Sequence, residues 1–320
     1  MGLLVTMKKI AVLMATYNGE AYLAEMLDSL AAQKNVEFCC YIHDDGSVDG
    51  TLDIIQNYIF RYPKIFFLLE DDRVCGSAKE NFFYLMEEVE ADYYFFADQD
   101  DVWLPDKMEK TYAALKELEK RSYDKAPLAA FCDMYVTDQN LNVVYPSFIQ
   151  SIGRSISHIK YTQIVIDNPA AGCTMCFNRN CRDKALEIFD KNNVEMHDVW
   201  CLMVAAVFGR VCGVDEPLSY YRQHEHNEMG ASHEDIGQKI QRNMEDAKEG
   251  ALLSGKEAFR RQKFLLAGEI LKLRDVPKKE AQILETFVHP EKQSRFQRIL
   301  FLKKNEFNRR NHSIWLWLWL

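Results

Sequence analysis

Three aspartates, Asp98, Asp100 and Asp101, lie within four positions directly after a short apolar run. The run, residues 93–97, holds aromatic residues and alanine, which is typical of a buried strand. Carboxylates this close together repel one another unless a cation offsets their charge, and such oxygen ligands suit Mg²⁺ or Mn²⁺. The cluster therefore predicts a divalent metal that bridges phosphates, with an acidic turn capped by its own side chains as the alternative.

Two earlier turns also follow apolar runs and are rich in polar side chains. Their candidate residues are Thr16, Tyr17 and Asn18 in the first turn and Asp44 and Asp45 in the second. Each turn alone is equally consistent with a cap of the helix after it. Together with the aspartate cluster, they offer amide groups for a nucleobase, carboxylates for ribose hydroxyls and metal ligands for a diphosphate. Because ligands collect beyond the carboxyl ends of strands in open α/β sheets, we expect the three turns to face one crevice.

The elements that position these turns alternate along the first half of the chain. Apolar runs predict strands at 10–15, 38–43, 65–69 and 93–97, and helical spacing predicts helices at 21–33, 51–62 and 81–90. This order predicts an α/β fold with a mostly parallel, doubly wound sheet flanked by helices.

The second half of the chain predicts a mixture of elements. Expected strands are 128–135 and 141–145, which we predict to be antiparallel, a short strand after the loop 168–175, and two strand-like pieces at 211–216 and 219–222. Expected helices are 108–121, predicted to be exposed and charged, 182–189 and 197–208. After about Gly230 only helical patterns follow, so we divide the chain into regions 1–230 and 231–320.

Composition limits the classes of function. Hydrophobic residues make up 48% and charged residues 27%, which is typical of a globular protein. A net charge of −9 argues against nucleic acid as a partner. The nine cysteines lie mostly in apolar runs and predict reduced thiols in a cytoplasmic protein. We expect no zinc at Cys173, Cys176 and Cys181, no signal peptide, and no span of a membrane, because the longest apolar stretch, 199–209, is too short.

Segments 15–19, 44–51 and 98–107 strongly resemble the family 2 glycosyltransferases of the GT-A fold. They most resemble the bacterial rhamnosyltransferases that build cell-surface polysaccharides. The resemblance extends over about 8–227. It implies a nucleotide-sugar donor, a glycan or lipid-linked saccharide acceptor, and Mg²⁺ or Mn²⁺ as the cofactor.

The resemblance also implies roles for particular residues. The nucleotide and donor would contact Thr16, Tyr17, Asn18, Asp44, Asp45, Asp98 and Arg222. The metal would lie at Asp100 and His224, with Asp101 assisting. Asp198 would be the catalytic base, and Gly172, Cys173, His197 and Trp200 would lie on the acceptor side.

Physical reasoning supports a base at this position, since sugar transfer with inversion needs a group that takes the acceptor's proton. Asp198 could instead simply cap the apolar helix that follows it. The donor sugar stays open: dTDP-L-rhamnose rests on the resemblance alone, and UDP-hexoses or UDP-N-acetylhexosamines are alternatives. A sugar nucleotidyltransferase would need a glycine-rich, basic loop after the first strand, which Thr16–Gly19 does not supply. An inactive sugar-binding scaffold is a further alternative.

The C-terminal segment differs from the rest in charge. Between Glu291 and His312 there are seven basic residues and two acidic ones, interleaved with Phe296, Ile299, Leu300 and Phe301 and followed by a Trp-Leu repeat. This pattern predicts an amphipathic surface at an anionic lipid interface, on the cytoplasmic face of the membrane. Packing in a homodimer is the alternative.

Overall fold

The computed structural model describes residues 9–224 and 253–308. The predicted boundary near Gly230 and the Trp-Leu repeat at 315–320 lie outside these residues, and the division into two regions stays a prediction. Within the described ranges, no helix is both long enough and apolar enough to cross a lipid bilayer.

The first half of the chain forms the predicted alternation of strands and helices. Its elements are β1 (Ile10–Thr16), α1 (Leu23–Ala31), β2 (Cys39–Asp44), α2 (Thr51–Arg61), β3 (Phe66–Leu68), α3 (Ala78–Glu88) and β4 (Tyr93–Ala97). The four strands pair in parallel in the order β3-β2-β1-β4. The carboxyl ends of all four strands therefore meet at one edge of the sheet.

The second half adds antiparallel pairs to the same sheet. Its elements are β5 (Val102–Trp103), α4 (Lys107–Lys120), β6 (Leu128–Thr137), β7 (Val143–Tyr145), α5 (Phe148–Ser151), α6 (Tyr161–Ile164), β8 (Met175–Asn178), α7 (Arg179–Ala185), α8 (His197–Phe208) and β9 (Arg210–Arg222). The strand order is β3-β2-β1-β4-β8-β6-β9-β5, with β7 on β6. The predicted antiparallel pair β6–β7 is confirmed, and the two pieces expected after 210 form one strand with register shifts against β6.

Both faces of the sheet are covered, which explains the continuous apolar run of β1. Ala11 and Leu13 belong to one hydrophobic core, whereas Ile10, Val12 and Met14 belong to another on the opposite face. Because successive side chains of a strand point to opposite faces, every position of such a strand must be apolar.

Helix α4 differs from the expectation of an exposed, charged helix. Lys107, Met108, Thr111 and Leu115 are all buried, so one face of the helix packs on the protein. The sequence suggested exposure because lysine and glutamate dominate the segment, but these charges lie on the other side of the helix. Its first residue, Lys107, lies in the candidate site described below.

Three helices form the described part of the C-terminal region: α9 (Leu253–Lys272), α10 (Lys278–Val288) and α11 (Arg295–Lys304). Leu266, Ala267 and Ile270 of α9 share a hydrophobic core with residues of α8 such as Trp200 and Met203. Helix α9 therefore packs on the main domain.

Candidate active site

The turns after β1 and β2 are joined by hydrogen bonds. The Thr16 hydroxyl donates to Asp44 Oδ1 at 2.8 Å, and the Asp45 backbone N–H donates to the Thr16 carbonyl at 2.8 Å. The Asn18 backbone N–H donates to Ser47 Oγ at 2.8 Å, with Asn18 in the left-handed region at φ 46°. The polar residues of both turns therefore lie at the carboxyl edge of the sheet and also fix the conformation of the two turns by hydrogen bonds to each other.

Gln99 connects the aspartate cluster to the first turn. Its Oε1 atom accepts the Tyr17 N–H at 2.9 Å, and its Nε2 atom donates to the Tyr17 carbonyl at 2.9 Å. A Cβ atom on Gly19 would come within 2.3 Å of Gln99 Oε1, so the contact requires glycine at that position. The three turns meet at one edge, as predicted. Gln99 was missed by sequence reasoning, and its place between two aspartates was the one available signal.

The two predicted nucleotide residues Tyr17 and Asp45 have different environments. The Tyr17 side chain is 57% exposed. Asp45 is nearly buried, and its carboxylate accepts the backbone N–H groups of Cys75 and, at 2.8 Å, Gly76. Asp45 thus fastens the loop between β3 and α3 against the second turn, and both of its oxygens are used in doing so.

Asp98, Asp101 and Cys173 form a compact cluster at the end of β4. One ligand atom from each lies within 4.8 Å of the others. Burial, followed by repulsion from Asp101 and Asp100, raises the pKa of Asp98 well above its usual range. Burial and repulsion from Asp100 raise the pKa of Asp101 to about 7. The cluster has the repulsion between carboxyl groups that the sequence predicted, but it includes Cys173, which was expected on the acceptor side.

Asp100 points away from that cluster toward the end of β9. Its Oδ2 atom lies 2.8 Å from His224 Nε2. Arg222 also contacts this turn, since its Nε donates a hydrogen bond to the Asp100 carbonyl at 2.9 Å. Its two other guanidinium nitrogens donate to the Gln139 carbonyl and to the Glu25 carboxylate. The Arg222 guanidinium is thus buried against protein acceptors, an arrangement that orients the aspartate turn.

Two groups of side chains could hold a divalent metal: the pair Asp100–His224, and Asp98 with Asp101 and Cys173. The 2.8 Å between Asp100 Oδ2 and His224 Nε2 is a hydrogen-bond distance, and because adjacent ligands of an octahedral ion lie about 3 Å apart, both atoms could also bind one ion. Burial raises the pKa of the Cys173 thiol well above its usual value, and sulfur is a softer ligand than the oxygen ligands that Mg²⁺ and Mn²⁺ prefer. Carboxylate and imidazole are ligands that Mn²⁺ accepts, and carboxylate suits Mg²⁺.

Asp198 lies in the first turn of α8. Its Oδ1 atom accepts the Val199 N–H at 2.6 Å, and Asn168 Nδ2 lies 3.4 Å from Oδ2. The N-cap of α8 is Met196, so Asp198 is not the capping residue that the alternative reading required. Burial raises the pKa of Asp198 to about 6, against a lowering by the Val199 N–H. A carboxyl group of this kind is suited to general base catalysis near neutral pH.

Gly172 and His197 lie next to this carboxyl group. A Cβ atom on Gly172 would come within 2.9 Å of His197 Nε2 and 3.5 Å of Asp198 Cβ. The His197 ring is buried, stacks on Phe82 at 4.0 Å, and burial lowers its pKa to about 3, so it is neutral. Both ring nitrogens lack a hydrogen-bond partner among the described residues.

Trp200 does not line the site. Its side chain is completely buried, and its Nε1 atom donates to the Ala185 carbonyl of α7 at 2.8 Å. This corrects the expectation that Trp200 lies on the acceptor side. Trp200 follows Asp198 by two residues, which places its side chain about 200° around the helix from Asp198, and here the indole anchors α8 in the core.

Comparisons with known proteins identify the family of the chain. Residues 11–185, more than half of the chain, match the family described as Glycosyl transferase family 2. The chain is 29% identical over 228 residues to the dTDP-rhamnosyl transferase RfbG of Shigella flexneri, which covers 68% of this chain and 74% of that protein. Two uncharacterized glycosyltransferases of Rickettsia species match over 42% of this chain and 39% of their own length.

Solved structures show the same fold. The S. aureus TarS 1-349 structure in complex with UDP-GlcNAc superposes with a TM-score of 0.59 at 20% identity, covering 93% of this chain and 80% of that one. The mannosyltransferase PcManGT from Pyrobaculum calidifontis, in complex with GDP-Man and Mn²⁺, gives a TM-score of 0.53 at 14% identity, covering 94% and 84%. The fold is that of the GT-A transferases, as the resemblance predicted. On the family match, the chain belongs to glycosyl transferase family 2.

Proposed function

We propose that this glycosyltransferase moves L-rhamnose from dTDP-L-rhamnose to a glycan or lipid-linked acceptor in the synthesis of a cell-surface polysaccharide, with inversion at the anomeric carbon. The likeness to the dTDP-rhamnosyl transferase RfbG supports this donor. UDP-hexoses or UDP-N-acetylhexosamines are the alternative, since the TarS structure of the same fold binds UDP-GlcNAc.

The observation that carries the proposal is the short segment Gly172–Cys173, which lies between Asp98 and Asp198. The Cys173 Sγ atom lies within 4.8 Å of a carboxylate oxygen of Asp98, and a Cβ atom on the adjacent Gly172 would lie 3.5 Å from Asp198 Cβ, so the two carboxyl groups flank one loop. One belongs to the turn of the donor side and the other to the first turn of α8. A donor at the three turns and an acceptor beside Asp198 would therefore meet in one crevice.

The reaction follows from this placement. Asp198 takes the proton of the acceptor hydroxyl, and the acceptor oxygen forms a bond to the anomeric carbon. The bond between that carbon and the diphosphate oxygen breaks, and the nucleoside diphosphate leaves with the electron pair. Attack from the side opposite the leaving group inverts the anomeric configuration. Tyr17, Asp98 and the turns around Asn18 and Asp44 would hold the nucleotide in place.

Asp100 and His224 would hold the Mg²⁺ or Mn²⁺ ion. When bound, such an ion neutralises negative charge on the departing diphosphate. The Mn²⁺ in the PcManGT complex supports a metal in a protein of this fold. Arg222 would contribute by fixing the turn at Asp100, since its guanidinium donates to that residue's carbonyl.

We also propose that the protein contacts the membrane peripherally at its cytoplasmic face. Helix α11 supports this: Phe296 is 71% and Leu300 50% exposed, one turn apart, beside the exposed Arg295, Lys303 and Lys304. Apolar side chains flanked by basic ones suit an anionic lipid surface, where a lipid-linked acceptor would be found. The alternative is that a second copy of the chain covers the same face of α11 in a homodimer.

A panel of nucleotide sugars tests the function. The purified protein is incubated with dTDP-L-rhamnose, UDP-glucose, UDP-galactose or UDP-N-acetylglucosamine and a saccharide acceptor, with and without Mn²⁺, and released nucleoside diphosphate is measured. The expected result is metal-dependent release that is fastest with dTDP-L-rhamnose and is increased by acceptor. Faster release from a UDP-sugar would overturn the assigned donor, and NMR of the product's anomeric configuration tests inversion.

A further inference from the structure

The turn that leads into α8 is held by a buried carboxylate of the C-terminal region. Glu269, in α9, is fully buried, and its Oε1 atom accepts the backbone N–H groups of Phe189 and Asp190, both at 2.8 Å. Its Oε2 atom accepts from the Asn193 side chain at 2.9 Å. One side chain of α9 therefore fixes two backbone groups and one side chain of the turn.

The hydrogen bonds to Glu269 are charge-assisted. Burial raises its pKa, but the hydrogen bonds from Lys272, Asn193 and the two backbone amides outweigh burial, so that the pKa is lowered. Lys272 Nζ lies 2.6 Å from Oε2. The carboxylate thus stays ionised inside the protein, and hydrogen bonds to an ionised acceptor are stronger than those between neutral groups.

A second contact from α9 lies closer to the candidate base. Lys263 Nζ is 2.7 Å from Glu195 Oε1, and the Lys263 side chain is almost completely buried. Glu195 immediately precedes Met196, the N-cap of α8. Between the two contacts, Leu266 and Ile270 of α9 pack in the core that contains α8.

The opposite side of the turn is held by α3. Lys79 Nζ donates to the carbonyls of Lys191 at 2.9 Å and Val194 at 3.3 Å. The turn 189–196, which we name the approach turn, is therefore fixed between α3 and α9. Neither helix contributes one of the donor-side turns, so the approach turn can be disturbed from α9 without altering those turns.

We propose that Glu269 and Lys263 are positioning residues for sugar transfer, which hold the approach turn so that Asp198 stands beside the acceptor hydroxyl. The inference rests on the proposed role of Asp198 as the base. Helix α9 then affects the reaction indirectly, because it fixes the approach turn without contacting either substrate. A misplacement of about 1 Å at a reacting group can lower a rate by as much as a hundredfold, so the required displacement is small.

Lys263 also sets the charge around Asp198. The titratable and charged groups that interact with Asp198 are Asp98 on the donor side, Arg154 after α5, Glu195 in the approach turn and Cys201 in α8. Arg154 lowers the pKa of Asp198 and Glu195 raises it. Because Lys263 pairs with Glu195, its removal leaves the Glu195 charge unbalanced, which shifts the pKa of Asp198 upward.

The test uses the full-length chain with Glu269→Gln, Lys263→Met and Lys263→Arg. Rates are measured against donor concentration, acceptor concentration and pH. We expect Glu269→Gln and Lys263→Met to lower kcat about tenfold, with the donor KM changed by less than about twofold. The acid limb of the kcat profile should move to higher pH in Lys263→Met and return in Lys263→Arg.

A matched control separates positioning from general loss of stability. Leu284→Ala removes a fully buried side chain of α10 that belongs to the same core but lies outside α9 and the approach turn. Assayed well below the unfolding temperature of every variant, Leu284→Ala should keep kcat and the pH profile of the unaltered chain. An equal fall of kcat in Leu284→Ala would overturn the inference.

Two further outcomes distinguish this inference from the proposed function. If Asp198→Asn abolishes transfer but Glu269→Gln and Lys263→Met keep kcat and pH profile, the positioning inference is wrong and the base stands. If Asp198→Asn retains activity, the proposed base is wrong, and the positioning inference fails with it. Should Glu269→Gln not fold, Lys263→Met and Lys263→Arg carry the test alone, because Lys263 makes one salt bridge to the approach turn whereas Glu269 accepts three hydrogen bonds from it.

Discussion

The Nζ atom of Lys107 lies 2.6 Å from the carbonyl oxygen of Cys173 and 3.7 Å from the centre of the Trp103 ring. Lys107 is completely buried, and its charge interacts with Asp101 and Asp98. It begins α4, directly after the aspartate turn, whereas Cys173 lies in the loop before β8. One buried cation therefore joins the donor side of the site to the loop beside Asp198.

We predict that Lys107→Met lowers the free energy of unfolding by about 2–4 kcal/mol, because the Cys173 carbonyl loses its donor and the buried aspartates lose a compensating charge. The matched control is Lys116→Met, in the same helix, where a partly exposed lysine pairs with Glu119. That change should cost less than about 1 kcal/mol. Urea denaturation at pH 7 measures both, and equal losses would contradict the assigned role of Lys107.

Asp198 should make the folded protein less stable at high pH than it would be with asparagine. Burial raises the pKa of Asp198 from its unfolded value of 3.8 to about 6. A raised pKa means that the protonated carboxyl favours folding below pH 3.8 and that this contribution is lost as the pH rises through 6. Above pH 6 the folded protein must hold an ionised, half-buried carboxylate.

We therefore predict that Asp198→Asn is more stable than the unaltered chain by about 1–3 kcal/mol at pH 8, and that the difference disappears near pH 4. Urea denaturation at the two pH values measures it. If the two chains differ in unfolding free energy by the same amount at pH 4 and pH 8, the pKa of Asp198 is not raised. The same variant should lose transfer activity by about a hundredfold or more if Asp198 is the base.

The parallel half of the sheet could be predicted from the sequence because its strands are covered on both faces. Strands such as β1 and β4 then become continuous apolar runs, and the helices between them keep helical spacing. The polar turns could be placed at one edge of the sheet because each of them follows the carboxyl end of a parallel strand. Candidate residues found in this way, among them Thr16, Asp44 and Asp98, do meet there.

What the sequence did not reveal depends on contacts between distant segments. Gln99 forms hydrogen bonds with the backbone of Tyr17, and Lys107 donates to the carbonyl of Cys173. In the local sequence, only the place of Gln99 between two aspartates was a signal, and nothing indicated the burial of Lys107. Trp200 was placed on the wrong side because a motif gives proximity along the chain, not the direction of a side chain on a helix. Glu269 in a charged helix gave no signal of burial.

Metal dependence should follow the pair Asp100–His224. Treatment with EDTA is expected to abolish transfer, and Mn²⁺ or Mg²⁺ to restore it. His224→Gln should raise the metal concentration needed for half-maximal rate by roughly tenfold or more, because the imidazole is lost. His289→Gln, a change at an exposed histidine, is the control and should leave that concentration unchanged. Equal metal dependence in His224→Gln and the unaltered chain would reject His224 as a ligand.

Gly172 should tolerate no side chain. The Cβ atom of alanine would lie 2.9 Å from His197 Nε2 and 3.5 Å from Asp198 Cβ, and the buried His197 ring has little room to move. We predict that Gly172→Ala lowers kcat about tenfold while the donor KM stays nearly constant.

The control for this change is Gly268→Ala, within α9. A Cβ atom there meets nothing within 4 Å, and alanine favours a helix by about 1 kcal/mol over glycine. This variant should keep kcat and unfold at a slightly higher temperature. Unchanged kcat in Gly172→Ala would show that Asp198 and His197 have more freedom than the packing indicates.

Membrane contact should depend on the exposed apolar side chains of α11. We predict that Phe296→Glu combined with Leu300→Glu weakens binding to vesicles containing anionic phospholipid at least tenfold. The change removes apolar area that would be buried in the membrane, and the new carboxylates are repelled by the anionic lipid. The change is measured by co-sedimentation, with vesicles of neutral phospholipid alongside. Binding of the unaltered chain should fall with added salt, since basic residues contribute.

The matched control carries the same two charges elsewhere on the surface. Phe60→Glu combined with Phe189→Glu replaces exposed phenylalanines of α2 and of the approach turn, so net charge changes equally while α11 is kept. This control should bind anionic vesicles like the unaltered chain. Truncation after Phe307 then separates α11 from the Trp-Leu end: if α11 is the contact, the truncated chain still binds. A concentration-dependent dimer that the α11 double variant abolishes, without any vesicle binding by the unaltered chain, would show that a second copy covers this face instead.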